Sequence, residues 1–131
     1  MYTCVLIVDD DNTTNFLNKI IIKSNGSFEH ILVKTDGSYA IEYLQNYQSE
    51  DFILPDLILL DINMPIMNGW EFLEKFEELP ESITSKIKII MLSASANILD
   101  QKKAKEIKAI STFKRKPFTP DMLQDILENY M

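Results

Sequence analysis

The chain has 131 residues and a formal net charge of −7, with 20 acidic against 13 basic side chains; 46% of it is hydrophobic, the proportion of a single soluble folded domain rather than a disordered chain. The acidic balance argues against a nucleic-acid or anionic-membrane surface, and no apolar run reaches the length of a bilayer span. Cys4 is the only cysteine and His30 the only histidine, so an internal disulfide and a zinc set are excluded, and the opening Met1-Tyr2-Thr3-Cys4 has no basic signal region; a cytoplasmic protein is expected.

Short, nearly continuous apolar runs alternate with segments of helical spacing. Cys4–Val8 reads as a first strand covered on both faces. Phe16, Leu17, Ile20 and Ile21 then form a helical stripe expected to face the core, stopped by Asn25-Gly26. Phe28–Val33 is the second strand; after the Asp36-Gly37 turn, Ala40, Ile41, Leu44 and Tyr47 mark the second helix. Leu57–Leu60 is the third strand, and Phe72, Leu73 and Phe76 form the third helix just past Gly69. Ile87–Leu92 is the fourth strand, and Ala104, Ile107 and Ile110 make a weaker fourth helix among Lys102, Lys103, Lys105 and Lys108. Ser111–Arg115 reads as a fifth strand whose Lys114 and Arg115 suit a sheet edge. Thr119 caps a last helix with Pro120 at its first position and Met122, Leu123, Ile126, Leu127 and Tyr130 along it. Five βα units imply an α/β fold, doubly wound, with right-handed crossovers and helices on both faces of a five-stranded parallel sheet. No linker or second domain is visible across residues 1–131, so no output domain is expected. With Gly26, Gly37 and Gly69 as the only glycines, neither a GxGxxG loop nor a GxxxxGK[ST] loop is possible.

Ligands of open α/β sheets bind beyond the carboxyl ends of the strands. Past the first strand stand Asp9, Asp10 and Asp11; past the third, Asp61; past the fourth, Ser93 and Ala94; past the fifth, Lys116. Taken singly, each has a bland reading: the three aspartates as a helix N-cap cluster, Ser93 as a cap, Lys116 as a solvated charge. Their shared position at strand ends makes them a site. Clustered carboxylates repel, and a divalent cation relieves the repulsion. Oxygen ligands without histidine or cysteine point to Mg²⁺ or Mn²⁺. Carboxylates, such a cation, a hydroxyl and an ammonium are the components of phosphoryl transfer, in which a carboxylate can itself be the nucleophile.

These residues resemble a family. Val5-Leu6-Ile7-Val8-Asp9-Asp10, Leu57-Ile58-Leu59-Leu60-Asp61-Ile62-Asn63-Met64-Pro65 with Asn68-Gly69, Met91-Leu92-Ser93-Ala94 and Lys116-Pro117-Phe118 are similar to the motifs of response regulator receiver domains, in order and across essentially the whole chain. The resemblance implies a flavodoxin-like strand order 2-1-3-4-5 and a stand-alone signalling switch of a two-component or phosphorelay system. It implies that Asp61 accepts a phosphoryl group from a histidine kinase or histidine phosphotransfer protein. Asp10 would bind Mg²⁺ directly and Asp9 through water, with Asp61 and the backbone carbonyl of Asn63 as further ligands. Ser93 and Ala94 would meet the phosphoryl group together with Lys116, the Lys116-Pro117 bond would be cis, and Phe113 would be the aromatic switch. The partner surface would be the fourth helix, fifth strand and fifth helix, read by an effector protein of unknown identity, with neither nucleic acid nor membrane involved.

Two features depart from the pattern. Arg115 stands where a small or apolar residue is usual, and its default reading is snorkelling or pairing with an acid. The lysines of the fourth helix read either as a solvated face or as a basic surface that selects an acidic partner. Trp70 reads as packing at a helix start, Cys4 as a small core residue, and His30 is remote from the acids. A phosphatase working through an aspartyl phosphate is disfavoured, because the second acid it would want two residues after Asp61 is Asn63. The expectation is therefore no enzyme beyond assistance to its own phosphorylation and dephosphorylation. A docking module that is never phosphorylated is the remaining alternative, and the complete set of Asp10, Asp61 and Lys116 argues against it.

Overall fold

The computed structural model describes residues 1–94 and 97–131. Strands β1 (Tyr2–Val8), β2 (Phe28–Lys34), β3 (Leu57–Asp61), β4 (Lys88–Ser93) and β5 (Ile110–Arg115) alternate with helices α1 (Asn12–Asn25), α2 (Gly37–Gln45), α3 (Gly69–Phe76), α4 (Ile98–Glu106) and α5 (Pro120–Asn129). One further helical turn, Glu81–Thr84, precedes β4. The strands form a single parallel sheet in the order β2-β1-β3-β4-β5.

Strand alternation divides the core in two. Leu6 and Val8 of β1, Ile58 and Leu60 of β3 and Ile89 and Met91 of β4 meet Ala40, Ile41 and Leu44 of α2, Phe72, Leu73 and Phe76 of α3 and Ala104 of α4. The intervening Val5, Ile7, Leu57, Leu59, Ile90 and Leu92 meet Ile22 of α1 and Leu123 and Ile126 of α5. Side chains of alternate residues point to opposite faces, so a strand covered on both sides must be apolar throughout; this is why β1, β3 and β4 lack a polar rhythm. Cys4 is fully buried in β1, and burial, with the charge of Asp56, pushes its thiol up to about 12, a protonated and unreactive core residue.

Helix α1 overturns the expected stripe. Its buried residues are Asn15, Asn18 and Ile22, whereas Phe16, Leu17 and Ile20 are 64%, 52% and 47% exposed. Ile21 alone of the four packs against the core. The helix is rotated because its start is fixed from outside: Asp11 caps it by accepting from the Thr14 N–H at 3.0 Å, and the buried Asn15 amide donates to the Asp9 carbonyl at 2.9 Å. Ile110 also departs from expectation, since it opens β5 instead of closing α4. Pairing steps from Ile89 with Ile110 to Ile90 with Thr112, so Ser111 is an extra residue, a β-bulge. At the other end Thr119 caps α5, accepting from the Met122 N–H at 3.1 Å, with Pro120 next to it.

The rotation of α1 has a measurable consequence. Leu17→Gln should change stability by less than about 0.5 kcal/mol, as for other exposed positions. Leu6→Ala, which empties a fully buried site, should cost about 2–5 kcal/mol; chemical denaturation of the two variants reads both.

Candidate functional site

The carboxyl ends of β1, β3, β4 and β5 bring together residues far apart in sequence. Asp9 and Asp10 follow β1, and Asp61 is the last residue of β3. Asp9 and Asp61 are buried and Asp10 is exposed, and one carboxylate oxygen from each lies within 4.8 Å of the others. Lys116, just past β5, reaches both buried acids: its Nζ is 2.7 Å from Asp9 Oδ2 and 3.1 Å from Asp61 Oδ1. The backbone N–H of Lys116 donates to the Ser93 carbonyl at 2.8 Å, which ties the ammonium to the end of β4. Ser93 is fully buried, Ala94 is exposed, and the Lys116-Pro117 peptide is cis. Asn63 lies in the exposed loop two residues after Asp61. Phe113 is half-buried one residue pair from the site, opposite Met91 and packed against the α2–α3–α4 core.

The three consecutive acids separate into two roles. Asp11 is the helix cap, held below the usual carboxylate range by the Thr14 hydroxyl and N–H. Asp9 is fixed by the Asp11 N–H, which donates to its Oδ1 at 2.9 Å, and by Lys116. Asp61 is raised, first by burial and then by the charge of Asp9, with Lys116 opposing both. For Lys116, burial alone would lower the ammonium, but the hydrogen bond to Asp9 and the charges of Asp61 and Asp9 outweigh it, so the group is raised and stays charged. Three carboxylates against one ammonium leave two uncompensated negative charges. A divalent cation with oxygen ligands matches that charge, and the close spacing of the three carboxylates lets them share one ion.

The loop from β3 to α3 supports Asp61 by contacts that apolar patterning does not reveal. Gly69 N–H donates to the Ile62 carbonyl at 2.8 Å, and a Cβ at Gly69 would lie 2.6 Å from the Asp61 carbonyl oxygen and 2.9 Å from Ile62 Cα. Asn68 caps α3 through a reciprocal pair with Glu71, at 2.9 and 3.0 Å. Earlier in the same loop Ile66 has φ 64°, a left-handed conformation that a β-branched residue rarely adopts, and Met67 N–H closes back on the Pro65 carbonyl at 2.6 Å. The Asn15 contact to Asp9, the close approach at Gly69 and the strained Ile66 escaped sequence reasoning. The Asn68-x-x-Glu71 spacing was a readable signal for the cap.

An acidic cluster able to share one cation, a buried aspartate at the end of β3 and a lysine just past β5, on a 2-1-3-4-5 sheet, are the arrangement of a phosphorylation-controlled signalling domain. The chain belongs to the response regulator receiver domain family, whose model matches residues 5–128. It is 27% identical over 127 residues to Response regulator Rre1 of Synechocystis, covering 97% of this chain and 51% of that protein. It is likewise 27% identical to Sporulation initiation phosphotransferase F of Bacillus subtilis, covering 97% of this chain and 92% of the relative. The chain thus spans about half of one relative and nearly all of the other. A crystal structure of a two-component response regulator from Cytophaga hutchinsonii superposes with a TM-score of 0.88 at 34% identity, covering 97% of this chain and 95% of that one.

Two outcomes follow from this geometry. Gly69→Ala should destabilise the fold by about 1–3 kcal/mol, because the added carbon meets backbone that cannot swing aside; thermal denaturation measures it. Asp61→Asn should stabilise the metal-free protein at neutral pH, since it removes a charge the site disfavours. A raised carboxylate costs stability only where it is ionised in the fold, so the advantage should shrink as pH falls through the raised value and vanish below the ordinary 3.8. Denaturant titrations across that window check the sign.

Proposed function

We propose that this receiver is a switch phosphorylated on Asp61 by a phosphohistidine-bearing donor, a histidine kinase or a histidine phosphotransfer protein. The observation that carries the reading is the buried Asp61 carboxylate held 3.1 Å from Lys116, with Asp9 and Asp10 alongside. An Asp61 oxygen attacks phosphorus as the bond from phosphorus to the donor's ring nitrogen breaks; that nitrogen keeps the electron pair, and an acyl phosphate forms. Asp9, Asp10, Asp61 and the backbone carbonyl of Asn63 would hold Mg²⁺, which when bound neutralises charge on the transferring group. Lys116 moves its ammonium from Asp61 to the new phosphoryl oxygens, and Ser93 and Ala94 supply donors from the end of β4.

Transfer adds a group of nearly two negative charges beside Ser93 and Lys116. Ser93 closing on it frees space that the half-buried Phe113 ring can enter, which changes the surface of α4, β5 and α5 for an effector. Phe113 has no hydroxyl, so this step depends on packing alone. We assign the donor's footing to the exposed Phe16, Leu17 and Ile20 of α1, whose capping residue Asp11 adjoins the acidic pair. The chain assists only its own phosphorylation and dephosphorylation and acts on no other substrate.

Intact-mass measurement after incubation with Mg²⁺ and acetyl phosphate tests the reading. A single phosphoryl adduct should form, require the cation, and disappear in Asp61→Asn. Lys116→Met should lower its yield steeply while Mg²⁺ binding persists. An adduct that survives in Asp61→Asn would refute the assignment.

A further inference from the structure

Seven of the 13 basic residues lie between Lys102 and Lys116, against one of the 20 acids, Glu106. Elsewhere the chain is strongly acidic, so this segment is a cationic island on an anionic molecule. Three of the seven are engaged: Lys116 with Asp9 and Asp61, Lys114 with Asp125 of α5 at 2.5 Å, and Lys103 over the Trp70 ring at 4.6 Å. Lys102, Lys105, Lys108 and Arg115 are exposed, and among the described residues none of them is within ion-pair distance of an acid. Of the two default readings of Arg115, snorkelling or pairing with an acid, the acid is not found among the described residues.

The island surrounds a groove of about 500 Å³ between α4 and β5. Ala104, Ile110 and Phe113 give it an apolar floor, and Gln101, Lys105 and Arg115 give it a polar and cationic rim. Strand parity explains the arrangement: Phe113 and Arg115, two residues apart, share one face of β5, while Lys114 turns to the opposite face and is neutralised by Asp125. Nothing in the fold requires the rim to stay unpaired, and its two like charges, Lys105 and Arg115, repel one another.

We propose that this groove recognises an acidic peptide segment of the effector, with carboxylates on Lys105 and Arg115 and one apolar side chain seated on Ala104, Ile110 and Phe113. The proposal rests on the phosphoswitch reading and adds the chemistry of the partner to it. Charge complementarity selects acids, and the apolar floor selects a protein segment over a nucleic-acid backbone, which offers nothing to bury there. The net charge of −7 also repels polyanions at long range, whereas a short acidic segment meets only the local island.

The experiment uses the full chain with and without beryllofluoride, and fluorescence anisotropy of a labelled peptide carrying glutamates on one helical face and leucines on the other. Its lysine-substituted twin, a polyuridine oligonucleotide and phosphatidylserine vesicles are run in parallel. The glutamate peptide alone should bind, with amide NMR shifts confined to α4 and β5 and affinity falling as salt rises. The double variant Lys105→Glu with Arg115→Glu, shown folded by circular dichroism, should bind about tenfold more weakly. Lys23→Glu on α1 should bind like the parent. The proposal is overturned by equal binding of the double variant, by absence of binding, or by preference for the lysine twin, the oligonucleotide or the vesicles. It is also overturned if ultracentrifugation shows the groove occupied by a second copy of the chain. A parent chain that takes no phosphoryl adduct on Asp61 would instead defeat the underlying reading, so the two failures are separable.

Discussion

Repulsion among three carboxylates at one sheet edge is the constraint around which this molecule is arranged. The two buried acids have no freedom to withdraw: Asp61 is within β3, and Asp9 is held by its own backbone, by Asn15 and by Asp11. A surface cluster would spread into solvent, but here two of the three are buried. Lys116 answers part of the charge, and Asp61 stays raised, first by its burial and then by the charge of Asp9. The residual negative charge is of the kind a divalent cation with oxygen ligands relieves. The same residual field makes the fold less stable than it could be, a common cost of sites built for chemistry rather than for rest.

Much of this was open to inspection in the sequence, and for a definite reason. A parallel sheet covered on both faces imposes continuous apolar strands, so β1, β3 and β4 could be placed within a residue or two, and their polar successors gave Asp9, Asp10, Asp61 and Ser93 directly, with Lys116 just past the more polar β5. Caps with local signals, such as Thr119-Pro120, were equally plain. Contacts between backbone and backbone left no such trace. Gly69 looks like an ordinary turn glycine until the carbonyl of Asp61 is found against it. Ile66, an apolar β-branched residue in a left-handed turn, runs against every local preference.

Helix α1 shows where periodicity misleads. Four apolar residues at helical spacing carry the signal of a buried face, but spacing alone does not say which partner covers it. The polar tether from Asn15 to Asp9 fixed the rotation instead, turning three of the four outward. The result is a helix whose apolar stripe reads as core in the sequence and stands exposed in the fold. The same tension between local pattern and tertiary demand recurs at Ile110, which the helix period claimed and the sheet took.

The bulge at Ser111 sets the face taken by every side chain downstream in β5. Ile110 and Phe113 are three positions apart, an odd interval, yet both face the α2–α3–α4 core. Only an inserted residue reconciles odd spacing with one face. In an unbroken ladder, Phe113 would stand opposite Leu92 and enter the layer shared with α1 and α5, carrying Arg115 with it and sending Lys114 toward α4. The aromatic ring would then be separated from α4 by the full thickness of the sheet. One supernumerary residue in an edge strand thus decides which side of the sheet Phe113 and Arg115 occupy.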